Sequence, residues 1–421
     1  MKNYQLSQIS SIVRDVSSSL FIYLVSSYIL KNSYIPLLLL SLMLTRSLFR
    51  GNPSRWIPNF GNPARERKGL LEAIVALKNY EQESRKFIDR KYTLFSRMPL
   101  HHRRLSASVG YLDRLDQTQE KFTANQKFLN QIADWAINHY HITSSELRFT
   151  TGLPNSNVVE LLGLLVRDWA FDTQSQRNRQ LEPVLAALKN AFKDNRKTGH
   201  SSTGSPEHST TFENSTTVLV PGSGLSRAAL EIANAGFKVD ACDNFALMTL
   251  CSRFIMECAL KQQKLEFSEI FPFIHQFSHQ ISKAYQQREI RLPDEPSSFH
   301  VLSNLNVNTI ELTNIEGSQL YDAIVTLFFI DTAENVFQYL ETIDRLLKPN
   351  GIWINMGPLK WGTAPQVEFT LEELKEVIEK MGWHFTDHFE GENEYIPDQH
   401  ALWHGMYETR GWVARRVSEI S

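Results

Sequence analysis

A glycine-rich turn and an acidic residue 19 positions further along form the part of the sequence best suited to chemistry. The apolar run at 218–220 leads into Pro221-Gly222-Ser223-Gly224, and a helical pattern follows directly. Gly222 and Gly224 have no Cβ, so a ligand can approach this backbone closely beside the free N–H groups of a helix N-terminus. Asp243 ends the next predicted strand, where a carboxylate can bind both hydroxyls of a ribose. The spacing therefore predicts a nucleoside-binding site.

Two questions about this pair remain open in the sequence. Asp243 could instead only cap the helix that begins near Phe245, although ribose binding is the favoured interpretation. An adenine dinucleotide and S-adenosylmethionine would both use such a turn and acid, and the third glycine position of a Gly-x-Gly-x-x-Gly fingerprint distinguishes them. Arg227 occupies that position, which disfavours a nicotinamide or flavin cofactor. A sulfonium cofactor has no pyrophosphate and tolerates the change.

The chain from Thr217 onward alternates between strand and helix patterns, which predicts an α/β fold with a doubly wound, mostly parallel sheet. Two later segments, Trp383–Phe389 and Gly405–Arg415, predict an antiparallel hairpin that closes the sheet. Asp331 follows one apolar strand and is therefore expected at the carboxyl edge, where ligands bind. The remaining predicted elements are strands at Thr217–Val220, Phe237–Cys242, Ala323–Phe329 and Ile352–Met356 and helices at Leu225–Ala235, Phe245–Leu260 and Ala333–Leu347.

The predicted α/β domain comprises residues 218–421. The part of the chain before it divides into three segments. Residues 51–194 are predicted to be helical, and residues 195–217 form a polar linker rich in Ser, Thr, Gly and His. Residues 1–50 form a hydrophobic N-terminal segment. The apolar repeat within the helical segment predicts helices at Arg65–Tyr92, Tyr111–His139, Ser156–Ala170 and Leu181–Phe192.

The hydrophobic N-terminal segment leaves membrane contact open. Residues 18–44 are long enough for one spanning helix, but Lys31 near the middle costs about 3 kcal/mol on insertion scales. Pro36 would kink such a helix. A weak membrane anchor and a packed amphipathic segment both fit this pattern.

The overall composition indicates a globular protein with a small-molecule partner. Of 421 residues, 42% are hydrophobic and 21% charged, and a net charge of −2 does not require a nucleic-acid partner. Cys242, Cys251 and Cys258 match neither a disulfide framework nor paired zinc ligands, so no metal site is predicted. Their pattern favours a reducing compartment such as the cytoplasm, with the nucleus not excluded.

Longer strings of residues resemble the carnosine N-methyltransferase family. The resemblance extends more weakly from about Lys68 to Arg416 and omits the N-terminal hydrophobic segment. The strings that carry it are Val218-Leu219-Val220-Pro221-Gly222-Ser223-Gly224, Phe328-Phe329-Ile330-Asp331-Thr332-Ala333-Glu334-Asn335 and Leu347-Lys348-Pro349-Asn350-Gly351-Ile352-Trp353-Ile354-Asn355-Met356-Gly357-Pro358, together with Val166-Arg167-Asp168-Trp169 and Ile274-His275-Gln276-Phe277-Ser278.

This resemblance implies a class I methyltransferase fold preceded by a helical region, and a homodimer is a family-based expectation. It also implies S-adenosylmethionine as cofactor and transfer of its methyl group to a ring nitrogen of a histidine-containing dipeptide. The residues matching the family's functional positions are Arg167 for the methionine part of the cofactor, Gly222 and Gly224 beneath it, Asp243 for its ribose, and Asp331 and Tyr407 for the imidazole.

Three positions depart from the family pattern. Gly362 stands where the family has a histidine, and Leu327, in the cofactor region, stands where it usually has cysteine. The Gly-Asp-Phe string before the strand at Ala323 is missing, and Asn304 is the candidate replacement for its acid near the adenine. These departures keep a second hypothesis open, in which the fold serves as a non-catalytic binding or scaffold module.

Overall fold

A computed structural model of the chain describes residues 63–193, 216–260, 269–292, 302–362 and 364–416. The hydrophobic segment at 18–44 and nearly all of the predicted linker at 195–217 lie outside these ranges. Within them, no helix is long and apolar enough to cross a membrane. The predicted division into segments therefore stays a prediction at both of these places.

The first described range is helical, as predicted. Two long antiparallel helices, α1 and α3, pack through their apolar faces, and the rings of Tyr80 and Phe122 meet edge to face with centroids 6.1 Å apart. The bounds of α3 are those predicted, because its apolar repeat continues to its last turn. The helices are α1 (Pro63–Ser96), α2 (Leu100–Ser108), α3 (Tyr111–His139), α4 (Ser144–Arg148), α5 (Asn155–Trp169) and α6 (Gln174–Ala191).

The second half of the chain forms a seven-stranded sheet in the order β5-β2-β1-β6-β7-β9-β8. The first five strands in this order are parallel, and β9 pairs antiparallel with both β7 and β8, which confirms the predicted hairpin. These strands are β1 (Thr217–Pro221), β2 (Lys238–Asp243), β5 (Leu305–Thr309), β6 (Tyr321–Leu327), β7 (Leu347–Gly357), β8 (Trp383–Glu394) and β9 (Met406–Arg416), and β3 (Glu269–Ile270) with β4 (Ile290–Arg291) forms a separate two-stranded sheet.

Helices cover the sheet as expected for a doubly wound fold. The pair formed by α1 and α3 packs against α8 (Ala246–Leu260), where the ring centroids of Phe128 and Phe254 lie 6.4 Å apart. Trp353 on β7 and Trp412 on β9 are 0% and 1% exposed, and their rings pack edge to face in the core. The helices of this half are α7 (Arg227–Asn234), α8 (Ala246–Leu260), α9 (Lys283–Gln286), α10 (Val336–Leu346) and α11 (Leu371–Lys380).

Because the central strands are parallel, their carboxyl ends share one edge of the sheet. β1 ends at Pro221, β2 at Asp243 and β6 at Leu327, so the glycine-rich turn, the acid and the Asp331 segment all emerge at this edge. The hairpin extends beyond the same edge, since Gly357 at the end of β7 pairs with Arg410 while β9 begins at Met406.

Candidate active site

The two glycines of the turn differ in what surrounds them. Both have left-handed backbones, with φ of +63° at Gly222 and +52° at Gly224. A Cβ on Gly222 would lie 2.1 Å from the ring of Phe329, so this glycine is required by packing within the protein. A Cβ on Gly224 would meet only one atom within 4 Å, the Nη2 of Arg167 at 3.9 Å. Gly224 is therefore the position at which a ligand can approach the backbone.

The side chain of Asp243 links the ends of β1 and β2. Its Oδ2 accepts a hydrogen bond from the Gly224 N–H at 2.9 Å, and its Oδ1 accepts one from the Phe245 N–H at 2.8 Å. The carboxylate thus accepts from the residue immediately before α8, which is close to the capping interpretation of the sequence, and it also contacts the turn. Each oxygen keeps a further lone pair with which to bind a hydroxyl. Burial raises the pKa of Asp243, although the two N–H groups act in the opposite direction.

Arg167 lies near the end of α5 beside the turn. Its Nε and Nη2 donate to the two carboxylate oxygens of Asp168 at 2.6 and 2.9 Å. Burial opposes the charge, but Asp168 outweighs it, so the pKa of Arg167 lies above its ordinary value. Arg167 lines an open cavity of about 550 Å³, counting the space shared with solvent, together with Gly222, Ser223 and Leu327. The structure therefore brings these predicted cofactor residues together.

Asp331 lies in a short 3-10 turn, Ile330–Thr332, four residues after β6 ends. It is 5% exposed, and its Oδ2 accepts a hydrogen bond from the Lys360 N–H at 2.8 Å. Its backbone carbonyl accepts another from the N–H of Gly362 at 3.1 Å. Burial raises the pKa of the Asp331 carboxyl. Gly362, at the family's histidine position, thus lies directly beside this acid.

Tyr407, the second predicted substrate residue, is the second residue of the hairpin strand β9. Its ring meets that of Phe328 edge to face, with centroids 6.3 Å apart. Phe328 follows Leu327 in sequence, has a left-handed backbone with φ of +50° and lines the cavity that contains Arg167. Tyr407 is therefore separated from this cavity by one ring.

Asn304 does not lie with the other candidates, and its predicted contact with adenine is wrong. It precedes β5, whose parallel register pairs Leu305 with Val239 and Thr309 with Asp243. Asn304 is thus at the amino edge of the sheet, roughly 15 Å of strand away from Asp243. The residues that follow β5 at the carboxyl edge are Ile310 and Glu311.

Sequence reasoning missed residues whose contacts are long-range. Phe329 covers Gly222 and stacks on Tyr339 with centroids 4.8 Å apart, a contact that no local pattern indicates. Arg177 on α6 lines the same cavity as Arg167 and is buried. Tyr395 lies 5.4 Å from the Arg167 guanidinium. Among the described residues, no group of three or more His, Cys, Asp or Glu side chains could hold a metal ion.

Comparison with known proteins identifies relatives that match most of the chain. The chain is 29% identical over 378 residues to a carnosine N-methyltransferase of Schizosaccharomyces pombe, covering 83% of this chain and 96% of that protein. It is 27% identical over 331 residues to the Mus musculus enzyme of that name, covering 76% and 78%. A solved magnesium protoporphyrin IX methyltransferase from Synechocystis matches 58% of this chain and 82% of its own at 12% identity, with a TM-score of 0.33 too low to support any conclusion.

A family model described as carnosine N-methyltransferase matches residues 149–418. This range runs from the start of the helices beside the glycine-rich turn to the end of the C-terminal hairpin. Because it makes up well over half of the chain, the protein belongs to the carnosine N-methyltransferase family.

Proposed function

We propose that this protein transfers a methyl group from S-adenosylmethionine to a ring nitrogen of a histidine-containing dipeptide such as carnosine. The observation that carries the proposal is the hydrogen bond between the Gly224 N–H and Asp243 at the carboxyl edge of β1 and β2. It joins an unobstructed backbone to a carboxylate suited to a ribose, beside the cavity lined by Arg167. Membership of the family supports the same reaction.

The residues present fit S-adenosylmethionine. Only one atom, on Arg167, lies within 4 Å of where a Cβ on Gly224 would be, so the backbone can be approached. In this proposal Asp243 binds the ribose hydroxyls and Arg167 the carboxylate of the methionine part, while Gly222 and Leu327 line the space beneath it. When bound, the cofactor supplies a methyl group already activated by its sulfonium.

The protein's own contribution is to position the acceptor and to hold the N–H proton of its ring. Asp331 accepts a hydrogen bond from the N–H of the imidazole, which leaves the lone pair of the other ring nitrogen free for in-line attack. The same carboxylate stabilises the positive charge that develops on the ring. The Lys360 N–H holds one oxygen of Asp331 in place, and Tyr407 orients the ring from the hairpin.

Three further expectations from the sequence stay predictions. Contact with a membrane through residues 18–44 concerns a segment outside the described residues. Formation of a homodimer and location in the cytoplasm rest on the family and on the cysteine pattern respectively. The alternative of a non-catalytic module is decided by the experiment below.

The test uses the full chain with isotopically labelled S-adenosylmethionine and carnosine, and follows the labelled product by mass spectrometry. We expect wild type to methylate carnosine and Asp331→Asn to lower kcat about 100-fold or more, because the amide cannot stabilise the developing cation to the same extent. The affinity for S-adenosylhomocysteine, measured by calorimetry, should stay within about twofold. Asp387→Asn, an exposed acid on β8, is the matched control and should behave as wild type.

Two outcomes would contradict the proposal. Unchanged turnover in Asp331→Asn would remove this acid from the reaction. Binding of S-adenosylhomocysteine without methylation of any component of a small-molecule extract would favour the non-catalytic module instead.

A further inference from the structure

The cavity beside the glycine-rich turn, the first cavity, is lined by three arginines, of which two are balanced by acids. Arg167 forms two hydrogen bonds with Asp168. Arg227 is paired with Glu231, whose Oε1 lies 2.6 Å from the Arg227 Nη2. Arg177 is the third arginine, and it forms no ion pair with any residue that the structure describes. The first cavity therefore contains one positive charge without a partner of opposite sign.

The guanidinium of Arg177 is buried, and the protein satisfies only part of it. The residue is 6% exposed. Its Nη1 donates to the carbonyls of Arg167 and Ala170 at 3.0 and 2.7 Å and to the hydroxyl of Thr173 at 2.5 Å, and all three acceptors are uncharged. No acceptor for its Nε or Nη2 lies among the described residues. These two atoms are left for a ligand in the cavity that Arg177 lines.

The surroundings of Arg177 oppose its charge. Burial and the neighbouring charge of Arg227 lower the pKa of Arg177 to about 10, although Asp168 and Glu231 act in the opposite direction. The guanidinium is still protonated at neutral pH. A buried cation is costly unless an anion or enough hydrogen-bond acceptors meet it. An anionic ligand would remove this cost.

A second cavity, of about 460 Å³ counting the space shared with solvent, lies between α6 and the end of the hairpin. It also contains Arg177, but its lining includes two glutamates that repel an anion. The acid in the lining of the first cavity is Asp168, and Arg167 is already paired with it. The anion is therefore expected in the first cavity. The charged side chains of the second cavity, with one amide, are Arg167, Gln176, Arg177, Arg179, Glu392 and Glu394.

The free edge of Arg177 has the geometry that suits a carboxylate. Nε and Nη2 lie on one side of a planar guanidinium and present parallel N–H groups, which match the two oxygens of a carboxylate. Arg167 uses this same pair of atoms to bind the two oxygens of Asp168 at 2.6 and 2.9 Å. Gln180, one turn further along α6, lines the same cavity and adds an amide donor.

We propose that the Nε and Nη2 edge of Arg177 binds the carboxylate of a reaction ligand in the first cavity. Two ligands of the proposed reaction bring a carboxylate, the histidine-containing acceptor and the methionine part of the cofactor. This inference rests on the proposed function. It adds a binding residue that lies outside the strings resembling the family.

The experiment uses two pairs of compounds whose members differ only in the carboxylate. The acceptor pair is carnosine and carcinine, compared by their KM values. The cofactor pair is S-adenosylhomocysteine and its decarboxylated analogue, compared by calorimetry. We expect wild type to prefer the carboxylate form at least 10-fold in one or both pairs, and Arg177→Gln to reduce that preference to less than threefold.

Each preference is measured within one variant, so a general effect of the substitution on both members of a pair cancels. Arg177→Lys keeps the charge but loses the planar edge, and it should retain a preference between these two values. It also tests the site if Arg177→Gln does not fold. Lys189→Gln removes a charge from an exposed position on the same helix that lines neither cavity, and it should leave both preferences unchanged.

The two pairs identify which ligand brings the carboxylate. A preference lost in the acceptor pair restricts the substrate class to peptides whose histidine has a free carboxylate. A preference lost in the cofactor pair assigns Arg177 to the methionine part. An undiminished preference in Arg177→Gln, or no preference in wild type, would overturn the carboxylate site while leaving methyl transfer intact.

If wild type methylates neither acceptor, the proposed function fails, and calorimetry with the same four compounds decides the carboxylate site alone. The two acceptors are then measured in the presence of S-adenosylhomocysteine. A 10-fold preference that Arg177→Gln abolishes would support the site. Equal binding within both pairs, or no binding of any compound, would refute it.

Discussion

Substituting alanine at each glycine of the turn should separate the packing function of one from the ligand-facing function of the other. The Gly222→Ala substitution places a methyl group 2.1 Å from Cδ2 and 2.7 Å from Cε2 of Phe329. That ring cannot move away easily, because it is stacked on Tyr339 with the ring planes 9° apart. The Gly224→Ala substitution places its methyl group in open space, near only the guanidinium of Arg167.

The expected magnitudes follow from these surroundings. A residue with a Cβ in the left-handed region costs about 1–2 kcal/mol, and this cost applies to both positions. Overpacking against the ring adds about 1–3 kcal/mol at Gly222 alone. Gly222→Ala should therefore lower the free energy of unfolding by about 2–5 kcal/mol and Gly224→Ala by about 1–2 kcal/mol.

Urea unfolding of both variants at 25 °C measures this difference, and calorimetry with S-adenosylhomocysteine measures the ligand effect. We expect Gly224→Ala to remain folded and to lose affinity at least 10-fold, because its methyl group occupies the space that the ligand would approach. Equal destabilisation by the two substitutions would refute the assignment of Gly222 to packing. Wild-type affinity in Gly224→Ala would refute the assignment of Gly224 to the ligand.

Three further predictions concern stability, pH and binding. Burial lowers the pKa of His275 to about 4, so the unfolded chain binds the imidazole proton more tightly and the free energy of unfolding falls as the pH drops below 6.5. Between pH 7 and pH 5, urea unfolding should show a decrease in this free energy that is about 2 kcal/mol larger in wild type than in His275→Gln. Equal decreases in the two proteins would contradict this. Asp243→Asn leaves one of two backbone N–H groups without an acceptor, so we expect the free energy of unfolding to fall by about 1–3 kcal/mol. Calorimetry should show at least 10-fold weaker binding of S-adenosylhomocysteine. An unchanged affinity would argue against ribose binding by Asp243. Arg167→Met leaves the buried Asp168 unpaired, so the free energy of unfolding measured in urea should fall by about 3–5 kcal/mol. The double variant Arg167→Met with Asp168→Leu should recover most of this stability. An equal decrease in the double variant would contradict an ion-pair effect.

The sequence was sufficient where an element is apolar along its whole length or repeats regularly. β1 was recognisable from three consecutive apolar residues, all of them buried. The α3 helix was recognisable from its repeat, and Gly110, whose φ is +76°, interrupts the chain just before it. Both properties are local, so they can be read without knowing what packs against them.

β5 could not be recognised in the same way, and this caused the error at Asn304. The strand Leu305–Thr309 lies at the edge of the sheet and alternates with asparagine, and only Val307 is buried. Without the strand, its direction and its carboxyl end were unknown. The α11 helix was also missed, although Thr370 and Glu373 form a capping box that does have a local signature.

The contacts that distinguish Gly222 from Gly224 were beyond reach for a different reason. Phe329 approaches Gly222 from more than 100 positions along the chain, and its ring position depends on Tyr339 in α10. The same holds for Glu394 and Gln176, which lie on different elements and only share a cavity once the hairpin is in place. Sequence spacing carries no information about such pairs.

The placement of the hairpin also determines how the outer margin of the sheet behaves toward other chains. Among the strands that the structure describes, β8 is the last on that side, and an unpaired strand can recruit another from a neighbouring molecule. Several of its side chains are exposed and ionisable, including His384, Asp387, Glu390 and Glu392. An incoming copy would have to bring its own carboxylates alongside these, so lateral addition of strands is disfavoured and the protein is protected against aggregation from this margin.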